Sequence, residues 1–176
     1  MIKIEDYVVI IKNVLSKNVC EEIIKDKKNA FIRSGVWDNE ITDARTCYER
    51  CVSQDFNDDI YKGVGKILKE YKNIYPNFMT GSSMEDTGYI HLLYKGSNKG
   101  HYKEHTDHWD LFPRVLSCSI LLNDDYEGGN FAFFEKELIL NATQGEAIVF
   151  PSNFCFPHAV LPVTKGNRHS IITWIH

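Results

Sequence analysis

From residue 88 to its end this chain is a succession of short β-prone runs separated by turn residues, and that texture limits the folds open to it. Segments 88–94, 115–122, 130–134, 137–140, 147–150, 158–163 and 169–175 are rich in Val, Ile, Leu, Phe and Tyr, and each is too short for a typical helix. Gly128-Gly129, Gly145 and Gly166-Asn167 stand between them as turn markers. Many short strands at close spacing, with helical patterns only upstream, point to a β-sandwich or barrel buttressed by helices.

The first part of the chain supplies that buttress. Segment 7–11 is a β-branched run and predicts a strand. Asn18, with Glu21 three residues on and lysines in the last turn, predicts a helix over roughly 18–28 with Val19, Ile23 and Ile24 inward. Asn57 is the expected cap of a second helix. Asp58 and Asp59 occupy its first turn, Ile60, Val64, Ile67, Leu68 and Tyr71 recur at helical spacing, and Pro76 closes it. Between the two, segment 31–55 has weak periodicity and reads as a loop with a short hairpin. Its aromatics Phe31, Trp37 and Tyr48 suggest a lid at a substrate entrance. The expected organisation is one domain over 1–176, with a lead-in over 1–85 and a β core over 86–176.

Composition narrows the function classes. At 43% apolar and 25% charged residues, the chain has an ordinary globular balance. Its net charge of −4 and lack of a Lys/Arg run give no sign of nucleic-acid binding. No apolar run reaches the ~20 residues of a membrane span, and residues 1–6 lack the apolar core of a signal peptide. The five cysteines contain no CxxC pair, which argues against a disulfide framework and a structural zinc site. A reducing cytoplasm is the expected location.

The chemistry lies in His105-Thr106-Asp107 and in the later His158 and Arg168. On a strand, residues i and i+2 share a face, so His105 and Asp107 can address one ion. Adding His158 gives two imidazoles and a carboxylate, the facial set suited to non-heme Fe(II), with positions left for substrate and oxygen. A second pair, His108 and Asp110, has the same spacing. Tyr102, three residues before His105, favours the first pair, and the second runs directly into Leu111-Phe112-Pro113. Zinc accepts the same ligands, but Glu104 points to the opposite face from His105 and so makes a poor hydrolytic base. Arg168 offers a fixed planar cation for a carboxylate. If 158–163 and 169–175 pair as a hairpin, Arg168 returns level with His158. Trp174 alternates with Ile172 on the last run and reads as core.

These residues carry a resemblance. Tyr102 to Asp107, then Gly128-Gly129-Asn130-Phe131, then Pro157 through Ser170, with His158, Pro162, Gly166 and Arg168 in order, resemble the prolyl 4-hydroxylase-type branch of the 2-oxoglutarate/Fe(II) oxygenases. The resemblance runs from about Ile4 to the end and is densest over 89–174. It implies a double-stranded β-helix, jelly-roll or cupin-like, with an N-terminal α/β buttress. It implies His105, Asp107 and His158 as iron ligands, and Arg168 as the grip on the far carboxylate of 2-oxoglutarate, with Ser170 and Tyr94 beside it. Some relatives place a second tyrosine on the strand after the HxD pair; here that strand offers only 117–122. Tyr102 and Trp109 flank the ligands on the substrate side or pack the pocket wall. The implied activity is a dioxygenase that releases succinate and CO2, with Fe(II) as cofactor, 2-oxoglutarate and O2 as cosubstrates, and ascorbate as an accessory. Prolyl residues of a peptide or protein are the favoured substrate. A free amino acid or other small molecule, and a non-enzymatic metal-binding β-barrel module, are the alternatives. A nucleic-acid demethylase fits poorly, since no second arginine closely follows Arg168.

Overall fold

The computed structural model describes residues 2–36, 40–78, 80, 83–109, 111 and 113–176. In chain order its elements are β1 (Val9–Ile11), α1 (Lys17–Lys25), β2 (Ile32–Arg33), β3 (Arg45–Thr46), β4 (Tyr48–Cys51), α2 (Asn57–Ile74), β5 (Ile90–Lys95), β6 (His101–His105), β7 (Leu116–Leu121), β8 (Glu127–Gly128), β9 (Phe131–Phe133), β10 (Leu138–Leu140), β11 (Ala147–Pro151), β12 (His158–Val160), β13 (Val163–Lys165) and β14 (Asn167–Ile175). The strands form two antiparallel sheets: a seven-stranded one in the order β1-β11-β7-β14-β5-β4-β2, and a five-stranded one in the order β10-β9-β12-β6-β3. A two-stranded ribbon, β13-β8, lies outside both. This is the expected double-stranded β-helix.

Both helices pack on the outer face of the larger sheet. Ile23 of α1 and Ile60, Val64, Ile67 and Tyr71 of α2 bury against Leu116, Cys118, Ile120, Ile171 and Ile175. Gly63 lets α2 come close to the segment after β1: a Cβ there would lie 2.9 Å from the Val14 carbonyl oxygen. A second core, with Leu92, Tyr94, Phe131, Phe133, Phe150 and Val160, fills the space between the sheets. Strand β7 is therefore covered on both sides and buried at every residue. Leu116, Cys118 and Ile120 face the helices, while Ser117 and Ser119 face the other sheet. Strand β14 divides in the same way, with Arg168, Ser170, Ile172 and Trp174 on the inter-sheet side.

Several boundaries differ from the sequence expectation. Helix α1 starts earlier because Ser16 is the cap, its Oγ accepting from the Val19 amide at 3.3 Å; Asn18 lies inside and donates to Glu22 at 3.1 Å. Asn57 is likewise inside α2, which follows directly from a short 3-10 turn at Gln54–Phe56. Tyr7 closes another 3-10 turn, so the first strand begins at Val9. The hairpin expected between 158–163 and 169–175 does not form: β12 belongs to the smaller sheet and β14 to the larger one. Arg168 thus approaches His158 across the gap between sheets.

Segment 31–55 carries the expected short antiparallel pairing, with β2 against β4 and a Val36–Glu40 bridge, and it also joins both sheets. β2 and β4 extend the larger sheet beyond β5, and β3 extends the smaller one beyond β6. Of the three aromatics expected at an entrance, Trp37 lies outside the described residues. Phe31 packs on the helix side, 5.0 Å from the His91 ring and under the Arg50 guanidinium at 4.4 Å. Tyr48 stacks under Lys95 at 4.3 Å. The wall of the inter-sheet cavity is instead formed by Gly35, Val36, Arg45 and Glu49 of this segment.

Candidate active site

Strands β6 and β12 are neighbours, and their pairing sets His105 directly opposite His158. Two residues further down β12, Val160 pairs with Tyr102, which is three residues from His105. β6 therefore carries one extra residue there, a β-bulge, and the bulge returns Tyr102 to the face of His105. The two rings stack with centroids 3.5 Å apart and an interplanar angle of 18°. β6 ends at His105, so Asp107 reaches the same point from just beyond the strand.

Ligand atoms of His105, Asp107 and His158 all lie within 4.8 Å of one another. His105 Nε2 is 3.8 Å from one Asp107 oxygen, and His158 Nε2 is 3.7 Å from the other. The opposite ring nitrogens are already occupied. His105 Nδ1 contacts the Lys103 carbonyl at 2.9 Å, and His158 Nδ1 contacts the Phe156 carbonyl at 3.0 Å. A carbonyl only accepts, so each Nδ1 carries the proton and each Nε2 presents a lone pair toward Asp107. Burial, and then the neighbouring His158, lower the His105 pKa to about 3, so that ring is neutral near pH 7. Burial pushes the Asp107 carboxyl up, but His158, His105, the Trp174 indole N–H and the Ser117 hydroxyl together outweigh it and hold the carboxyl below its usual range. Two imidazoles and a carboxylate are a donor set suited to a divalent cation. His108 lines the same cavity without joining the trio, and its expected partner Asp110 lies outside the described residues.

The same cavity, of about 650 Å³, reaches Arg168 on the facing sheet. Arg168 is 1% exposed, and its guanidinium sits 5.4 Å from the rings of both Tyr94 and Phe131. Nη1 donates to Ser170 at 2.9 Å, while Nε and Nη2 have no hydrogen-bond partner among the described residues. Desolvating such a cation costs several kcal/mol unless an anion meets it. Gly129 makes room for it: its φ is +67°, and a Cβ would sit 2.9 Å from Arg168 Cδ. Tyr94 is paired with Arg168 across β5 and β14, and burial, then the Cys47 thiol, push its phenol pKa up, so it stays protonated.

Other wall residues were not singled out from the sequence. Arg45 lies 4.8 Å over the Tyr102 ring, donates to Cys47 Sγ and to the Gly35 carbonyl (3.1 Å each), and pairs with Glu49 at 3.7 Å. Arg114 stacks on Trp174 at 3.7 Å and on Trp109 at 5.1 Å. Trp174 packs against the inter-sheet core, as the sequence reading expects, and also lines the cavity wall. Its indole N–H stands near Asp107 and supports its charge without completing a hydrogen bond of ordinary geometry. The signal that could have found Trp174 is its i, i+2 phase with Arg168, Ser170 and Ile172. For Ser117 and Ser119 it is the polar alternation within an apolar strand. Trp109 is 40% exposed at the cavity margin.

Residues 90–176 match the model of the 2OG-Fe(II) oxygenase superfamily. A PKHD-type hydroxylase from Colwellia psychrerythraea is 30% identical over 132 residues, covering 69% of this chain and 55% of the relative. The chain thus spans about half the length of that protein. In fold, the chain is similar to a prolyl hydroxylase from Trichoplax adhaerens in complex with a hypoxia inducible factor peptide fragment (TM-score 0.76, 17% identity, 96% of this chain and 83% of that one). It is also similar to the viral collagen prolyl hydroxylase of Paramecium Bursaria Chlorella virus-1 in its 2OG complex (TM-score 0.72, 20% identity, 96% and 95%).

Proposed function

We propose, on the premise that this chain belongs to the 2OG-Fe(II) oxygenase superfamily, that it is an Fe(II)- and 2-oxoglutarate-dependent dioxygenase that hydroxylates prolyl residues in a peptide or protein. The observation that carries the reading is the pairing of two features in one cavity. One is a His-Asp-His donor set, and the other is a buried guanidinium with two nitrogens that have no hydrogen-bond partner among the described residues. His105, Asp107 and His158 would hold the iron, and Arg168 would hold the far carboxylate of 2-oxoglutarate. When bound, the iron and cosubstrate together supply the oxidising chemistry, with succinate and CO2 as products.

The protein's part is orientation. Two adjacent N–H groups of Arg168 suit a carboxylate with two parallel hydrogen bonds. Ser170 fixes the third nitrogen, and the Tyr94 and Phe131 rings fix the plane. Tyr102 holds the His105 ring by stacking, and Arg45 holds Tyr102. The apolar faces of Trp174 and Trp109, with Arg114 between them, form the margin where a substrate ring would rest. The prolyl assignment draws support from the named substrates of the similar proteins, and the peptide assignment from the Trichoplax complex. Segment 31–55 would act at the entrance through Gly35, Val36 and Glu49. Five free cysteines are consistent with a reducing compartment. No helix among the described residues is long and apolar enough to cross a membrane.

The test is incubation with Fe(II), 2-oxoglutarate and O2 in the presence of proline-rich peptides or free proline. Succinate formation that depends on a peptide, with a mass gain of one oxygen atom on a prolyl residue, is the expected result. Turnover with free proline alone would move the assignment to small-molecule hydroxylation.

A further inference from the structure

Asp107 is not held by the two histidines alone. Ser117, on the inter-sheet face of β7, places its Oγ 2.7 Å from Asp107 Oδ2. The same Oγ is 2.8 Å from Ser152 Oγ. Both serines are essentially buried, at 0% and 1% exposure. The direction of the chain of hydrogen bonds is fixed by chemistry. A carboxylate only accepts, so Ser117 spends its single proton on Asp107, and Ser152 must donate to Ser117. Ser152 is itself anchored by its amide, which donates to the Val115 carbonyl at 3.2 Å. It also opens the 152–157 connection that leads to His158.

Three consequences follow from this relay. The rotation of the Asp107 carboxylate is set by a donor outside the ligand trio. One oxygen, Oδ2, is committed to the Ser117 hydroxyl, while the Trp174 indole N–H stands near the same carboxylate. The relay also ties the segment after β6, which bears Asp107, to the start of the connection that bears His158.

We infer that Ser117, oriented by Ser152, is a positioning residue that presents Asp107 to the metal through one oxygen. This rests on the proposed function above and deepens it. A carboxylate free to turn could chelate through both oxygens and occupy a position that cosubstrate or oxygen needs. The Ser117 bond opposes that rotation. A purely structural serine would support the strand and leave the metal's surroundings unchanged.

The experiment uses Co(II) as a spectroscopic probe, without cosubstrate, on the whole chain. Wild-type protein, Ser117→Ala, Ser117→Thr and Ser152→Ala are titrated, and the visible absorption is followed for affinity and coordination number. Removing a group that orients a metal ligand typically weakens metal binding about 10- to 100-fold. Ser117→Ala is expected to fall in that range with a changed band intensity. Ser117→Thr, which keeps the hydroxyl, is expected to retain wild-type affinity and spectrum. Ser152→Ala, which does not touch Asp107, is expected to show a smaller loss in the same direction. Should Ser117→Ala fail to fold, the Ser152→Ala and Ser117→Thr pair decides the matter. Wild-type Co(II) affinity and spectrum in folded Ser117→Ala, or in Ser152→Ala when Ser117→Ala does not fold, would overturn the inference. Failure of the wild type to bind Co(II) at all would instead overturn the metal site on which it rests.

Discussion

Replacing Arg168 by Met should separate cosubstrate binding from folding. The side chain is similar in length and equally flexible, and the Gly129 cradle that admits the Arg168 stem remains open to it. Among the described residues, Arg168 Nε and Nη2 have no hydrogen-bond partner. Removing a buried, incompletely paired charge in favour of a well-packed apolar chain is often neutral or stabilising. The thermal midpoint of Arg168→Met without ligand is therefore expected at or above that of the wild type. The effect on 2-oxoglutarate is opposite. Truncating one partner of a buried hydrogen-bonded charge pair costs about 2–5 kcal/mol or more. At about 1.4 kcal/mol per tenfold, the dissociation constant should rise on the order of 30- to 4,000-fold. Differential scanning fluorimetry with Mn(II) and increasing 2-oxoglutarate reads both effects. The wild-type midpoint should climb with cosubstrate, while that of the variant should stay flat over the same concentrations. An equal climb in both proteins would show that Arg168 does not hold the cosubstrate.

Gly129→Ala should weaken 2-oxoglutarate binding with the metal site intact, because the new methyl meets Arg168 Cδ and strains a φ of +67°; unchanged cosubstrate affinity by calorimetry would count against the cradle. Burial, helped by His169 and Arg50, lowers the His91 pKa from 6.5 to about 2, and burial with Arg50 lowers His169 from 6.5 to about 4. Their stabilising contribution is therefore complete above pH 6.5 and is lost as pH falls toward those values. Each imidazole adds a slope of up to about 1.4 kcal/mol per pH unit. Urea unfolding between pH 6.5 and 4 checks this, and His91→Gln should reduce the slope; a flat profile in the wild type would contradict it. Finally, Phe134, Glu135 and Lys136 all have positive φ, at 53°, 55° and 75°, in the turn between β9 and β10. Lys136→Gly should stabilise the protein by about 1 kcal/mol through relief of the left-handed backbone; a lower urea midpoint would refute that account.

Much of this architecture is legible in the sequence because the β core is built from apolar runs bounded by glycines. β7, β11 and β14 lie in runs of this kind, and the HxD spacing singled out His105 and Asp107, although Asp107 lies just beyond the end of β6. The short strands were not legible. β2, β3 and β4 contain Arg, Glu, Thr and Tyr, and they exist because neighbouring strands offer open edges, which is information carried elsewhere in the chain. The helix caps were displaced for a local reason. Ser16 and Asn18 are both good caps, and the backbone geometry at Ser16 decided between them. The partner of His158 was misplaced because strand order between two sheets leaves no trace in spacing. Arg168 and His158 are close in sequence but belong to opposite sheets. The cavity role of Trp174 is not legible, because a core-packed aromatic that also faces a cavity has the same pattern as one that does not.

The proposed activity depends first on the His105, Asp107 and His158 site. Anaerobic titration of the protein with Fe(II) in saturating 2-oxoglutarate, followed by the visible charge-transfer absorption of the iron–cosubstrate chelate, measures it. The expected result is an absorption that saturates at one iron per chain, is lost in His105→Ala and His158→Ala, and persists in His108→Ala. Persistence of the band in His158→Ala, or its loss in His108→Ala with His105→Ala unaffected, would contradict the site.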